Sequence, residues 1–177
     1  AAYFEETVSR VLAGSLSARN VRCTWNLDPE LDELVVDQTR FKQILINLVS
    51  NAINAMPEGG RITVITQFLQ RLTFPGNGQV ARDCVLIEVL DTGIGISPEN
   101  IRRIFDPFFS TKGVWGKDAV HGTGLGLSIC KNIFNSFGGD ISVESAVGKG
   151  TTFSVTLPIP DQDYSSTTSS QFVRSSI

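Results

Sequence analysis

The sequence predicts an α+β fold, a two-layer sandwich in which helices cover one face of a mixed, mostly antiparallel sheet. Residues 38–56 and 124–137 have the apolar spacing of amphipathic helices. Short runs such as residues 21–27, 85–90 and 151–157 are rich in the alternating or β-branched apolar residues that strands favour. The chain has 177 residues, of which 41% are hydrophobic, so it can bury a sizeable core without disulfides or metals.

The first half of the chain is predicted to alternate between helix and strand. Weak helical spacing over residues 4–19 is followed by an alternating strand at 21–27. The helix over 38–56 is expected to stop at Pro57, because proline lacks the N–H group that a helix interior needs. The next strand begins near Ile62.

The second half is predicted to add two helices and three strands. These are a strand at 85–90, a short helix at 101–105 entered through Ser97-Pro98, a helix at 124–137 ended by Gly138-Gly139, and strands at 140–144 and 151–157. The segment 74–79 is rich in Pro, Gly and Asn, which predicts a long hairpin connection. From residue 161 onward, eight of 17 residues are Ser or Thr. We therefore expect a folded domain at 1–160 and a disordered tail at 161–177.

Composition excludes several classes of protein. With 15 basic and 18 acidic side chains the net charge is −3, which provides no basic footprint for nucleic acid. No apolar run approaches the ~20 residues that span a bilayer, so no direct membrane contact is expected. The three cysteines are widely separated, which favours neither a zinc site nor a disulfide framework. A reduced, cytoplasmic chain is expected.

Three asparagines form a stripe along the helix over 38–56. Asn47, Asn51 and Asn54 lie at i, i+4 and i+7, beside the apolar face of that helix. Asparagine is a poor helix former, so the stripe needs a reason. One interpretation is a solvated flank. The other is a pocket wall in which Asn51 ligates Mg²⁺, since Mg²⁺ prefers oxygen ligands.

Two glycine-rich segments follow. The first glycine loop, DTGIGI at residues 91–96, comes directly after a strand, and Asp91 can accept a hydrogen bond from an exocyclic amine or simply cap a tight turn. The second glycine loop, GTGLGL at residues 122–127, opens a helix whose free N–H groups favour phosphate. Each is a weak signal alone, and the second lacks the G-x-G-x-x-G spacing of dinucleotide-binding proteins.

The segment at 105–121 between the two loops has the composition of a lid. Its aromatic residues, Phe105, Phe108 and Phe109, are expected to anchor one end, and Gly113 and Gly116 to leave the rest mobile. Lys112 either approaches terminal phosphates or is a solvated surface lysine.

The order of the motifs is more specific than any one of them. The chain contains NLVSNAINA, DTGIGI, FDPFFSTK, GTGLGLSI and GKGTTFSVTLP in that order. Over about residues 4–160 it resembles the catalytic ATP-binding domain of two-component sensor histidine kinases, with their N, G1, F and G2 boxes. The resemblance implies the Bergerat fold, with ATP and Mg²⁺ as cofactors.

The resemblance also implies roles for the matching residues. Asn51 would be the Mg²⁺ ligand and Asn47 its catalytic partner one turn earlier. Asp91 would read adenine, with Gly93 and Gly95 making room for the base and ribose. The residues implied at the triphosphate are those of the second glycine loop: Gly122, Thr123, Gly124, Leu125 and Gly126. Thr151 would support the adenine site. Lys112 is a catalytic candidate at the terminal phosphates from its place in the lid segment, not from the resemblance.

The expected function is that of a protein-histidine kinase domain, which presents MgATP to a histidine on a separate dimerisation domain, with a response regulator downstream. ATP-hydrolysing relatives carry a glutamate where this chain has Asn47, and an amide is a poor base, so net hydrolysis should be slow. Two alternatives stay open: an ATPase of the same fold and a degenerate nucleotide-binding module. His121, the single histidine, lies at the end of the lid segment rather than in an acceptor context, so the acceptor is expected on another domain.

Overall fold

A computed structural model describes residues 2–29, 31, 33–72, 81–110, 123–159 and 173–176. It contains four helices and seven strands within those ranges. In chain order they are α1 (Ala2–Ala18), β1 (Val21–Asn26), β2 (Glu33–Val36), α2 (Gln38–Asn54), β3 (Gly60–Leu72), β4 (Arg82–Asp91), α3 (Pro98–Ile101), α4 (Gly126–Ser136), β5 (Asp140–Ala146), β6 (Gly150–Pro158) and β7 (Val173–Ser176).

The main sheet has five strands in the order β1-β3-β4-β6-β5. The β1 and β3 strands are parallel, since α2 crosses between them, whereas the other three pairings are antiparallel. At one end of the sheet Asp91 of β4 is opposite Thr151 of β6, and Thr151 is opposite Ser145 of β5. This topology confirms the predicted mixed, mostly antiparallel sheet.

Helix α2 forms the centre of the helical layer. Asp37 caps it by accepting hydrogen bonds from the N–H groups of Thr39 at 2.9 Å and Arg40 at 3.1 Å, an arrangement worth about 1 kcal/mol. Its buried face packs into one core cluster with the inward residues of the strands. The buried side chains of α2 are Phe41, Ile44, Leu45, Leu48, Val49, Ala52 and Ile53. Burying each large apolar side chain contributes roughly 1.5–3 kcal/mol.

Several boundaries differ from the sequence prediction for local reasons. Helix α4 begins at Gly126 rather than 124, because Gly124 has a φ of 67° and cannot belong to a right-handed helix. The short helix α3 covers Pro98–Ile101 rather than 101–105. It begins at Pro98, which is favoured in the first turn of a helix, and residues 102–105 form turns instead of continuing it.

A second, two-stranded sheet pairs β2 with β7 in antiparallel fashion. Neither strand was predicted from the sequence. Residues 173–176 belong to the segment expected to form a disordered tail, so that expectation does not hold for these four residues. The rest of the tail and the hairpin connection at 74–79 lie outside the described residues. In the described ranges, no helix is both long enough and apolar enough to cross a bilayer.

Candidate functional site

Asn47, the first residue of the asparagine stripe on α2, contacts the beginning of α4. The Asn47 side-chain amide donates to the Gly126 carbonyl oxygen at 3.4 Å, and its Nδ2 lies 3.7 Å from Sγ of Cys130. Asn47 thus joins the middle of α2 to the first turn of α4 and is not part of a solvated flank. Asn51 and Asn54, one and two turns further along, are also half-buried.

Cys130 is a packing residue rather than a nucleophile. It is fully buried, and burial raises the pKa of its thiol to about 11, although the hydrogen bond with Asn47 acts in the opposite direction. The thiol is therefore protonated at neutral pH, and a protonated thiol is a poor nucleophile.

Asp91, a residue that is 7% exposed, ends β4. The Gly93 backbone N–H donates to Oδ1 at 2.8 Å, and the Thr151 backbone N–H also hydrogen-bonds to the carboxyl group. Burial raises the pKa of Asp91, and these two hydrogen bonds partly oppose the shift. A carboxyl group held in this way presents a fixed acceptor at the end of the strand.

The first glycine loop is clamped between α2 and the β5–β6 turn. The Ile94 N–H donates to the Ala55 carbonyl at 3.0 Å, and the Gly148 N–H donates to the Ile94 carbonyl at 2.8 Å. A Cβ on Gly93 would lie 2.5 Å from the Ala55 oxygen, and one on Gly95 would lie 2.1 Å from the Ala146 oxygen. In the structure, the space beside both glycines is filled by the protein's own backbone.

We expect Gly95→Ala to destabilise the chain by more than Gly148→Ala does. Both glycines have positive φ, 70° and 75°, so alanine is strained at either position by about 1 kcal/mol. Only Gly95 adds a clash with backbone, because no atom lies within 4 Å of a Cβ on Gly148. Chemical denaturation of both variants measures the difference, which should exceed about 1 kcal/mol. Equal losses would show that the loop moves freely away from Ala146.

The second glycine loop packs against the segment that follows α3. Gly124 approaches Phe108 so closely that a Cβ would lie 2.5 Å from the Phe108 carbonyl carbon. The Leu125 N–H donates to Thr123 Oγ1 at 3.4 Å. Leu125 is at the N-cap of α4, and its side chain has no acceptor for the N–H groups of the first turn. That helix start is therefore suited to an anionic ligand.

The three aromatic residues at the start of the lid segment differ in their packing. Phe105 and Phe109 pack against the core. The Lys131 ammonium lies 5.2 Å from the centre of the Phe105 ring, and the Arg103 guanidinium lies 4.7 Å from the centre of the Phe109 ring. Phe108 is 76% exposed and has a φ of 64°, so the expectation that it anchors the segment is wrong. Its backbone, rather than its ring, supports the second glycine loop.

Some predicted site residues lie outside the described residues. These are Lys112, Gly113, Gly116, His121 and Gly122. The structure does bring Gly126, with Gly124 and Leu125 just before it, to Asn47 in the middle of α2. It brings Asp91, Gly93, Gly95 and Thr151 together near the C-terminal end of α2.

Ser145 contacts the candidate site and was not predicted from the sequence. Its hydroxyl contacts the Ile96 N–H, the Gly150 carbonyl and the Thr151 hydroxyl. The alternation of β5 could have identified it. Ile141, Val143 and Ser145 share the face of β5 that points towards the helices, and Ser145 is the polar residue among them.

The distances along α2 define the shape of the site. Asn47 contacts the second glycine loop and Ala55 contacts the first, with Asn51 four residues from each. At 1.5 Å per residue the two loops are about 12 Å apart along the helix, and Asn51 lies midway. An elongated ligand with a base at one end and phosphates at the other fits this arrangement.

The donor set also fits a magnesium ion that is shared with phosphates. Within the described ranges, no three His, Cys, Asp or Glu side chains are grouped closely enough to hold a metal ion. Asn51 offers a hard amide oxygen, and Mg²⁺ characteristically takes few protein ligands and completes its shell with phosphate and water.

Comparison with known proteins agrees with this geometry. Residues 36–161 match the family described as histidine kinase-, DNA gyrase B- and HSP90-like ATPases. Because this match covers more than half of the chain, the chain belongs to that family.

The relatives narrow the class further. The chain is 40% identical over 154 residues to the sensor kinase CckA of Brucella abortus, an alignment that covers 84% of this chain and 16% of that kinase. The nucleotide-free catalytic domain of histidine kinase ThkA superposes with a TM-score of 0.70 at 32% identity, covering 89% of this chain and 90% of that one. The structure of ThkA in complex with the response regulator protein TrrA superposes with a TM-score of 0.66 at 29% identity, covering 89% of this chain and 40% of that chain. The chain is therefore the ATP-binding catalytic domain of a sensor histidine kinase, and spans a small part of the full-length relative.

Proposed function

We propose that this chain holds MgATP so that the γ-phosphate is transferred to a histidine on a separate dimerisation domain. The observation that supports this most directly is the position of Asn51 on α2, midway between the first glycine loop with Asp91 and the start of α4. The base then lies at a carboxylate, the metal ion at an amide oxygen and the phosphates at free N–H groups of a helix start.

Each part of the site has a defined task in this proposal. The Asp91 carboxylate accepts a hydrogen bond from the adenine amino group, and the N–H groups at the start of α4 bind phosphate oxygens. The Asn51 amide oxygen ligates Mg²⁺, which neutralises phosphate charge when bound. Gly93 and Gly95 let the first glycine loop pack against the backbone at the base end, beside Thr151. Thr123, Gly124, Leu125 and Gly126 line the phosphate end. Gly122 and Lys112 extend the phosphate end in the same proposal.

Asn47 directs the reaction away from hydrolysis in this scheme. Its amide group is engaged with Gly126 and Cys130 and has no basic lone pair with which to activate water. Phosphoryl transfer then depends on a nucleophile supplied by another domain. This favours a kinase over an ATPase of the same fold.

The partners belong to the same proposal. The acceptor is a histidine-bearing dimerisation domain of the same or a partner kinase, and a response regulator receives the phosphoryl group afterwards, as the pairing of ThkA with TrrA suggests. We also place the reaction in the cytoplasm, in keeping with the three free cysteines.

Incubation with radiolabelled ATP, with and without a candidate histidine-bearing dimerisation domain, tests the proposal. We expect label on the added domain only, acid-labile and alkali-stable as phosphohistidine is. Steady release of phosphate by the chain alone would support the ATPase instead. Tight ATP binding without label on any acceptor would support a nucleotide-binding module.

A further inference from the structure

Three polar side chains form a row across the end of the main sheet. Asp91, Thr151 and Ser145 lie directly opposite one another on β4, β6 and β5. Side chains at directly opposed positions point to the same face, and this face is the one covered by the helices. Thr151 is 4% exposed and Asp91 7%, so the row is largely shielded from water.

The hydrogen bonds of Ser145 determine where each proton in this row lies. The Gly150 carbonyl, 2.8 Å from Ser145 Oγ, can only accept, so the Ser145 hydroxyl donates to it. The Ile96 N–H, at 2.9 Å, can only donate, so Ser145 accepts from it. A hydroxyl group has one proton and two lone pairs, which leaves Ser145 one lone pair.

That remaining lone pair sets the orientation of Thr151. The two hydroxyl oxygens are 2.9 Å apart, and Ser145 has no proton left to give. Thr151 must therefore donate its proton to Ser145. The Thr151 hydroxyl oxygen, beside the Asp91 carboxyl group, can then only accept a hydrogen bond from a ligand and cannot donate one.

We propose that Ser145 is a positioning residue for base selection. By taking the Thr151 proton it makes this end of the site an acceptor surface, which selects a base with an amino group over one with a carbonyl group at the same place. Through Ile96 it also fixes the first glycine loop to β5. The inference rests on the proposed function, in which a nucleotide base lies at Asp91.

The test compares ATP with inosine triphosphate, which has the same sugar and phosphates but a carbonyl oxygen in place of the amino group. Titration calorimetry gives both Kd values for the whole chain. We expect the wild-type chain to prefer ATP and Ser145→Ala to reduce that preference roughly three- to tenfold, through loss of one hydrogen-bonded orientation. Ser145→Thr, which keeps the hydroxyl, should restore the preference.

Ser142→Ala is the matched control, because Ser142 is on the same strand but exposed on the opposite face. It should match the wild-type preference. An unchanged preference in Ser145→Ala, or equal weakening of both nucleotides, would overturn the inference and leave Ser145 a purely structural residue. A wild-type chain that binds both nucleotides equally would overturn it too, whereas one that binds neither contradicts the proposed function itself.

A second variant decides the question if Ser145→Ala does not fold. Thr151→Val removes the oriented oxygen directly and should cause the same loss of preference. Where both single variants fold, the double variant should lose no more than either one, because both remove the same interaction. Full retention of the preference in Thr151→Val, or additive losses in the double variant, would rule out the coupling.

Discussion

Asn51→Ala is expected to reduce phosphotransfer on the order of 10²–10³-fold while the fold stays intact. Asn51 is half-buried on α2, midway between the two glycine loops, and is the amide oxygen that we assign to Mg²⁺. Alanine is the better helix former, so the substitution removes a ligand without weakening the helix. The rate of label transfer to the histidine-bearing domain measures the loss.

Binding provides a second measurement that needs no acceptor domain. The wild-type chain should bind ATP more tightly with Mg²⁺ than with a chelator, and Asn51→Ala should abolish that difference. Asn54→Ala is the matched control, because Asn54 is half-buried on the same stripe and the change removes the same amide group. A metal dependence in Asn51→Ala equal to that of the wild-type chain would refute the ligand assignment.

The main elements could be predicted because their signals are local. The apolar spacing of α2 and the alternation in β4 and β6 each show one buried face within a few turns or residues. The strands β2 and β7 were missed because each has four residues and its pairing partner is far away in the sequence. Their formation depends on a contact that neither segment encodes alone.

The site was predictable in residue type but not in contacts. The amide stripe on a helix and the carboxylate before a glycine loop made Asn51 and Asp91 candidates, the order of motifs gave them roles, and both roles stay predictions. The sequence could not show that Asn47 donates to Gly126, or that the space beside Gly95 is filled by backbone. These contacts join segments far apart in the chain, so they depend on the tertiary fold.

Asp91 illustrates a cost that the site imposes on the fold. Since burial raises the pKa of Asp91, its ionised form is less favourable in the folded chain than in the unfolded one. The folded chain then binds more protons between the unfolded and folded pKa values, so stability falls as pH rises through that interval. Above the folded pKa the full cost is present, and below the ordinary carboxyl pKa of about 4 it is absent.

Asp91→Asn should therefore stabilise the nucleotide-free chain and impair its ligand binding. The amide keeps an oxygen for the Gly93 N–H but carries no charge, so Tm should rise at pH 7 and the gain should vanish near pH 4. ATP affinity should fall roughly 10- to 150-fold, as expected for loss of a hydrogen bond to a charged group. Thermal scans at the two pH values and calorimetric titration measure these effects.

Asp83→Asn separates the role of Asp91 from a general effect of removing a carboxylate. Asp83 is on the same strand and also accepts a backbone N–H, from Arg71 at 3.1 Å, but it is exposed at the other end of β4. Its substitution should change neither ATP affinity nor Tm by a comparable amount. If Asp91→Asn lowered Tm at pH 7, the buried charge would be stabilising the fold. If it kept the wild-type affinity for ATP, the base would lie elsewhere.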